Sequence, residues 1–185
     1  MSQKQIEVEF RAMFDEKKKE EVQEFLEENG KDLGEDDKDT FFFIMPDKLL
    51  KVVNNISKEN AKLSLKLDKI GEGSDFEELE FSIPQKNFEK AAKLFKALDI
   101  SDNVMHSFQE RHNYEYRGVE LALKYSEEWG HHLELEILIQ DPSKKEKAEQ
   151  KIRDVADELD VHLMTDEELK EFTQKVEKEH KEKNN

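Results

Sequence analysis

Several segments of the chain alternate apolar and polar residues, the period of a β-strand that buries one of its faces. The first of them reads Ile6-Glu7-Val8-Glu9-Phe10-Arg11. Further strands are predicted over residues 40–44, 49–56, 61–70, 76–83, 105–116, 119–125 and 132–139. Apolar residues at helical spacing predict helices over 15–29, 84–98 and 143–159, followed by a last helix near the end of the chain. The order of these elements indicates an antiparallel α+β domain.

Local signals place the turns and the ends of the helices. Gly71-Glu72-Gly73-Ser74 predicts a hairpin turn, and residues 34–37 read as a charged turn. Ser143, with Glu146 three residues later, is expected to cap one helix, and Thr165 with Glu168 repeats that capping-box pattern. We divide the chain into a domain over residues 1–160 and a C-terminal helix with a charged tail over 161–185.

The polar positions of the predicted strands carry an unusual set of side chains. Three strands contain Glu-x-Glu, and in each of them the alternate residues are apolar. Basic residues obey the same alternation on the remaining strands. The residues of this shared polar face include Glu7, Glu9, Arg11, Lys62, Lys66, Glu78, Glu80, Arg111, Lys124, Glu134 and Glu136.

Two structures are compatible with such a face. An antiparallel sheet can cover its apolar side with helices and leave its polar side in water. Alternatively, the sheet can close into a barrel with the helices outside and the charges inside. Six carboxylates cannot share a dry interior without cations, because repulsion and desolvation would be severe. A barrel would therefore need cations inside it, namely a divalent metal, Lys and Arg. Oxygen-only ligands suit Mg²⁺ or Mn²⁺, and the basic residues would suit a triphosphate.

Composition excludes several kinds of partner and site. The net charge of −16 argues against nucleic acid and anionic membrane surfaces as partners. The chain has no cysteine, which excludes disulfides and thiolate sites, and we expect a cytoplasmic protein. Adjacent residues of a strand point to opposite faces, so His131 and His132 cannot chelate one zinc ion together. A homodimer is possible, but no residue pattern in the sequence supports it.

A series of short motifs runs along most of the chain. In order they are Glu7-Val8-Glu9-Phe10-Arg11, Asp39-Thr40-Phe41-Phe42, Leu50-Lys51-Val52-Val53, Leu63-Ser64-Leu65-Lys66, Glu78-Leu79-Glu80, Gln109-Glu110-Arg111 with Tyr114, and Leu123-Lys124 with Gly130 and Glu134-Leu135-Glu136. Their order and spacing resemble the CYTH family, also called triphosphate tunnel metalloenzymes. The family pattern has basic residues at the positions of Val53 and Gln109 and an Asp at the position of Lys124. The Glu-x-Glu motifs are therefore intact, while two of the basic positions of the family pattern, at Val53 and Gln109, are not basic here.

The resemblance implies a fold, a chemistry and a set of roles. The fold is an eight-stranded antiparallel closed β-barrel, the triphosphate tunnel, flanked by helices. The implied function is metal-dependent hydrolysis of a triphosphate such as tripolyphosphate, thiamine triphosphate or a nucleoside triphosphate. The alternatives are a class IV adenylate cyclase and a catalytically weak module that binds polyphosphate or nucleotide.

The same resemblance assigns the site residues. Those implied to bind the phosphates are Arg11, Lys51, Lys66, Arg111 and Lys124. Those implied to hold Mg²⁺ or Mn²⁺ are Glu7, Glu9, Glu78, Glu80, Glu134 and Glu136. Among them, the implied catalytic groups are Glu134, Glu136 and Lys66.

Overall fold

The computed structural model describes residues 6–67, 75–76 and 78–183. Its strands are β1 (Ile6–Met13), β2 (Lys31–Glu35), β3 (Lys38–Ile44), β4 (Leu49–Asn55), β5 (Asn60–Lys66), β6 (Asp75–Phe76), β7 (Glu78–Ile83), β8 (Asn103–Tyr116), β9 (Val119–Ser126) and β10 (Gly130–Ile139). Its α-helices are α1 (Glu16–Asn29), α2 (Phe88–Ala97), α3 (Lys145–Glu158) and α4 (Asp166–Lys183). The predicted turn at 71–74 and the end of the strand predicted over 61–70 lie outside the described residues.

All strands belong to one antiparallel sheet that curls around a central cavity. The order of the strands is β6-β1-β10-β9-β8-β3-β4-β5-β7, and β2 pairs with the far part of β8. The two ends of this path are neighbours in the chain, because Phe76 pairs with Glu7 of β1 and Glu78 pairs with Lys66 of β5. Within the described residues no ladder joins β6 to β7. The curled α+β tunnel is thus confirmed, and its edges are brought together by the chain rather than by hydrogen bonds between them.

The apolar faces of most strands point outward and are covered by helices, whereas Leu79 and Phe81 of β7 are exposed. One core packs β1, β8, β9 and β10 against α1 and α3, with Val22 and Ile152 among its most buried side chains. A second core packs β3, β4 and β5 against α2, around Phe43 and Phe88. Because the helices cover the outside, the polar faces of the strands turn inward. This arrangement decides between the two structures compatible with the sequence in favour of the tunnel.

Two local expectations are wrong. The charged turn predicted over 34–37 overlaps β2, which is formed by residues 31–35. This segment is a strand because it pairs with β8, and its own sequence has no strand pattern. Ser143 does not cap α3; instead the side chain of Asp141 accepts a hydrogen bond from the backbone N–H of Ser143, and a short 3-10 turn precedes the helix. The second capping box is confirmed, because Thr165 and Glu168 exchange hydrogen bonds between side chain and backbone.

Helix α4 packs against the sheet beside one mouth of the tunnel. Leu169 and Val176 are buried, and the ring of Phe172 meets the ring of Trp129 edge to face at 5.1 Å. The imidazole of His180 lies 3.0 Å from the backbone oxygen of Val104 on β8. The division of the chain at residue 160 stays a prediction, but α4 is in contact with the tunnel walls. No helix within the described residues has the length and apolar character that crossing a bilayer requires.

Candidate functional site

The curled sheet encloses a cavity of about 470 Å³ whose walls come from eight strands. Its lining contains charged side chains of both signs. The basic ones are Arg11, Lys38, Lys51, Lys62, Lys66, Arg111 and Lys124, and the acidic ones are Glu7, Glu9, Glu78, Glu80, Glu134 and Glu136. All the predicted site residues therefore line this one cavity. The alternation of each strand explains the arrangement, since every second side chain of a strand lies on the same face.

Three of the glutamates form a cluster. Glu7, Glu9 and Glu136 can each offer a carboxylate oxygen within 4.8 Å of the others. They meet because β1 and β10 pair with Glu9 directly opposite Glu136. Burial raises the pKa of Glu9 to about 7, although Arg11 opposes the shift. Burial and repulsion from neighbouring glutamates also raise the pKa of Glu7 and of Glu136.

Glu134 differs from this cluster because basic side chains neutralise it. Lys124 donates a hydrogen bond to Glu134 at 2.5 Å, and the guanidinium of Arg11 lies 3.4 Å from the same carboxylate oxygen. Burial alone would raise the pKa of Glu134, but Lys124 and Arg11 outweigh it and hold that pKa well below its ordinary value. Arg11 also pairs with Glu9 and so connects Glu134 to the carboxylate cluster.

The opposite wall carries a second group of ion pairs. Glu78 lies 3.0 Å from the ammonium of Lys51 and accepts a hydrogen bond from Ser64. Although burial opposes the change, these partners and the nearby Lys66 lower the pKa of Glu78 to about 2. The pair of Lys62 and Glu80 is more exposed. Lys66 is buried, and Glu9 and Glu7 outweigh the effect of burial and raise its pKa.

Arg111 belongs to a polar network that the sequence did not indicate. Its Nε donates to the side-chain oxygen of Asn113 at 2.7 Å and lies 3.4 Å from Asp36. Asp36 is buried and also pairs with Lys38 at 3.1 Å and Lys58 at 2.9 Å. Burial would raise the pKa of Asp36, but Lys38 and the hydrogen bonds lower it instead. The network holds Arg111 in place at the wall of the cavity.

Aromatic residues mark the mouth next to α4. Trp129 and Phe42 line the cavity there. The guanidinium of Arg11 lies 5.9 Å from the centre of the Trp129 ring, a cation–π distance. His132 also lines the cavity, while His131 packs against Tyr125, which confirms that these two imidazoles point to opposite faces. Burial, with repulsion from Lys124, lowers the pKa of His132 to about 3.

The carboxylate cluster fits a divalent cation. Its donors are oxygen atoms only, which suits Mg²⁺ or Mn²⁺. Burial and mutual repulsion raise the pKa of Glu7, Glu9 and Glu136, although Arg11 pairs with Glu9 and Lys66 attracts both Glu7 and Glu9. A divalent ion among the three carboxylates would favour their ionised forms. The other predicted ligands, Glu78, Glu80 and Glu134, already have basic partners in the structure.

Comparison with known proteins bears on the fold. No protein-family model matches the chain, and no curated protein matches it in sequence. The PH1012 protein from Pyrococcus horikoshii OT3 is 27% identical, with a TM-score of 0.67 over 88% of this chain and 99% of that one. A candidate adenylate cyclase from Vibrio parahaemolyticus has a TM-score of 0.68 at 14% identity, over 93% and 99%. The chain has the triphosphate tunnel fold.

One further structure with this fold has a stated activity. A candidate adenylyl cyclase from Hippeastrum, described as having a dominant triphosphatase activity, gives a TM-score of 0.61 at 18% identity, over 86% of this chain and 89% of that one. At such low identity the likeness shows the fold. The activity of this chain depends on its own site and does not follow from the fold.

Proposed function

We propose that the tunnel binds a ligand carrying a triphosphate together with Mg²⁺ or Mn²⁺ and hydrolyses a phosphoanhydride bond of that ligand. The observation that carries this proposal is that seven basic side chains and a cluster of three carboxylates line the same cavity. A protein with a net charge of −16 has seven basic side chains around one cavity, which offers an anionic ligand a local environment unlike the exterior.

In this proposal the two kinds of residue have separate tasks. Arg11, Lys51, Lys66 and Arg111 bind phosphate oxygens, with Arg able to form two parallel hydrogen bonds and Lys acting as a point charge. Glu7, Glu9 and Glu136 hold the metal ion. When bound, such an ion neutralises charge on the transferred phosphoryl group and orients water for in-line attack.

Lys124 changes how many metal ions the proposal requires. Its hydrogen bond occupies a carboxylate, Glu134, that could otherwise be a ligand, although burial lowers the pKa of Lys124 to about 7. Glu78 is similarly held by Lys51 and Ser64. We therefore assign one divalent ion to the site, at Glu7, Glu9 and Glu136. Glu134 becomes a positioning group for Arg11 and Lys124 rather than a ligand.

The ion pair of Lys124 and Glu134 favours a second candidate function. If turnover needs the carboxylate that Lys124 neutralises, the tunnel would bind a triphosphate without cleaving it. The test is to offer the purified protein tripolyphosphate, thiamine triphosphate and ATP with Mg²⁺ or Mn²⁺, and to measure binding and products. Release of phosphate supports the hydrolase, cyclic AMP with pyrophosphate would select a cyclase, and binding without products would select the binding module.

A variant pair locates the activity in the tunnel. Glu136→Gln removes one member of the carboxylate cluster and should lower metal-dependent turnover about 10- to 100-fold, the scale of losing a group that orients a metal site. Glu110→Gln makes the same chemical change at an exposed position outside the cavity and should leave turnover unchanged. Equal activity of the two variants would show that the metal is bound elsewhere.

A further inference from the structure

A buried carboxylate lies behind the tunnel wall that β3 and β8 form. Asp36, in the turn between β2 and β3, is 4% exposed and is not part of the cavity lining. It accepts hydrogen bonds from the side chains of Asn55 and Asn113. The cations paired with it are Lys38 at 3.1 Å, Lys58 at 2.9 Å and Arg111 at 3.4 Å. One buried negative charge is thus shared by three basic side chains, two of which, Lys38 and Arg111, line the tunnel.

The same turn also holds Arg111 through its backbone. The N–H of Asp36 donates to the carbonyl oxygen of Arg111 at 2.7 Å, and the N–H of Arg111 donates to the carboxylate of Asp37 at 2.9 Å. The Nε of Arg111 donates to Asn113, which donates in turn to Asp36. These contacts use the backbone and the Nε of Arg111. Its terminal amino groups, one of them 4.0 Å from Glu120, can therefore bind an anion side by side.

Lys38 brings a second positive charge to the same part of the wall. Its register partner on β8 is Gln109, which is neutral and lies two residues from Arg111. Residues two apart on a strand share a face, so Lys38 and Arg111 are diagonal neighbours on the inner wall. Burial and repulsion from Arg111 lower the pKa of Lys38 to about 8, although Asp36 and Glu134 oppose the shift. The two cations therefore depend on Asp36 to lie together.

We propose that Asp36 is a positioning residue that holds Lys38 and Arg111 as a pair, and that this pair binds one phosphate group of the ligand. The inference rests on the proposed function and adds Lys38 to the residues that contact phosphate. Two cations and one carboxylate leave a net positive charge, so the pair still attracts an anion. Because Asp36 is outside the cavity lining, it orients the cations without occupying the place of the phosphate.

The first part of the experiment compares two lysines that share Asp36. Calorimetry with tripolyphosphate, thiamine triphosphate and ATP, each with Mg²⁺, selects the ligand that the wild type binds most tightly, in the cold and with the ligand checked for cleavage. Lys38→Met should weaken binding of that ligand about 10-fold or more, the scale of losing a hydrogen bond between charged groups, and Lys38→Arg should recover most of the loss. Lys58→Met also removes one cation from Asp36, but Lys58 is half exposed and outside the tunnel lining, so this variant should bind almost as the wild type does.

The second part tests Asp36 by the pH dependence of binding. The charged groups that face Lys38 are Asp36 from the adjoining turn, Arg111 from β8 and Glu134 from β10, while its partner on β4, Asn55, is neutral. Asp36→Asn removes a charge that favours the protonated form of Lys38, so the pKa of that lysine should fall further. The variant should therefore weaken binding more at about pH 8.5 than at about pH 6.

The double variant shows whether this pH effect passes through Lys38. In a Lys38→Met background, Asp36→Asn should cause the same loss at both pH values, because other groups of the tunnel titrate alike in both proteins. A merely structural role of Asp36 would give the same pH dependence in both backgrounds. Unfolding in urea verifies that each variant is folded under the conditions of the assay.

Two results would overturn the inference and leave the proposed function standing. One is an equal loss of affinity in Lys38→Met and Lys58→Met, and the other is an effect of Asp36→Asn that does not change with pH. If Asp36→Asn does not fold, the comparison of the two lysines decides. If the wild type binds none of the three ligands, the proposed function itself fails, and the role of Asp36 fails with it.

Discussion

The ion pair between Lys124 and Glu134 offers the sharpest test of how buried charges compensate one another inside the tunnel. Both side chains are buried, with 6% and 10% of their surface exposed. Lys124→Met keeps the length of the side chain and removes its charge. Breaking a buried pair by deleting one partner typically costs about 3–5 kcal/mol, because the other charge is left without compensation. Arg11 remains 3.4 Å from Glu134, so the lower end, about 3 kcal/mol, is expected.

A matched control lies on the same inner face. The pair of Lys62 and Glu80 has the same chemistry, but its side chains are 37% and 44% exposed. An exposed pair contributes roughly 0–1 kcal/mol, so Lys62→Met should change the free energy of unfolding by no more than that. Unfolding in urea measures both variants without added metal. With an m-value of about 2 kcal/mol per molar urea, Lys124→Met should lower the midpoint by roughly 1.5 M.

The double variant Lys124→Met with Glu134→Gln separates the pair from other effects. If the two side chains are coupled as the structure indicates, the double variant should be less destabilised than the sum of the single variants by about 2 kcal/mol. The reasoning is refuted if Lys124→Met and Lys62→Met differ by less than about 0.5 kcal/mol, which is near the error of additivity.

Three other changes have defined outcomes. Lys124→Asp frees Glu134 and adds a carboxylate, so the number of bound Mn²⁺ ions counted by electron paramagnetic resonance should rise from one to two; a count unchanged at one would contradict the role given to Lys124. The raised pKa of Glu9, about 7, means that the folded protein favours its protonated form. Its ionisation therefore reduces the stability of the metal-free protein as pH rises from about 4.5 to 7, and Mn²⁺ affinity measured by calorimetry should rise about tenfold per pH unit below about pH 6 and level off above about pH 7; a flat profile below pH 6 would contradict this. The lowered pKa of Asp36 acts in the opposite sense, because its stabilisation is present above about pH 4 and is lost as pH falls. Asp36→Asn should thus cost about 2 kcal/mol in urea unfolding at pH 7 and less at pH 3; an equal cost at both values would show that its charge is unimportant.

The strand alternation carried most of what the sequence could say about the site. It placed Glu7, Glu9 and Arg11 on one face, and the structure puts that face inside the tunnel. Alternation depends only on the sequence of each strand, so the face on which each side chain lies can be predicted before the pairing of the strands is known. The resemblance of the motifs to a known family added the expectation that the sheet closes, which alternation alone does not give, since an open sheet has the same alternation.

Partnerships across the cavity could not be predicted in the same way. Whether Glu134 meets a metal or Lys124 depends on the register between β9 and β10 and on the reach of flexible side chains. The network of Asp36 has the same origin, because Asn113 and Lys58 are distant in sequence and meet only when the sheet curls. Strand β2 was missed because its residues are mostly exposed and show no period, and its partner β8 determines its conformation.

The contact of α4 with the tunnel mouth is only weakly indicated by the sequence. Leu169, Phe172 and Val176 recur at helical spacing and form the apolar stripe that packs on the sheet. The many charges around them resemble a solvated helix end, and only the structure shows what the stripe covers. Trp129 is the contact between that stripe and the tunnel.

The central claim is that the tunnel holds a triphosphate and one divalent ion in defined places. Crystals grown with Mn²⁺ and tripolyphosphate, measured at a wavelength where manganese scatters anomalously, test it directly. The account predicts one anomalous peak bound by Glu7, Glu9 and Glu136, with phosphate density between that peak and the basic side chains Arg11 and Lys66. A peak at Glu78 or Glu134 instead, or phosphate bound outside the tunnel, would contradict it.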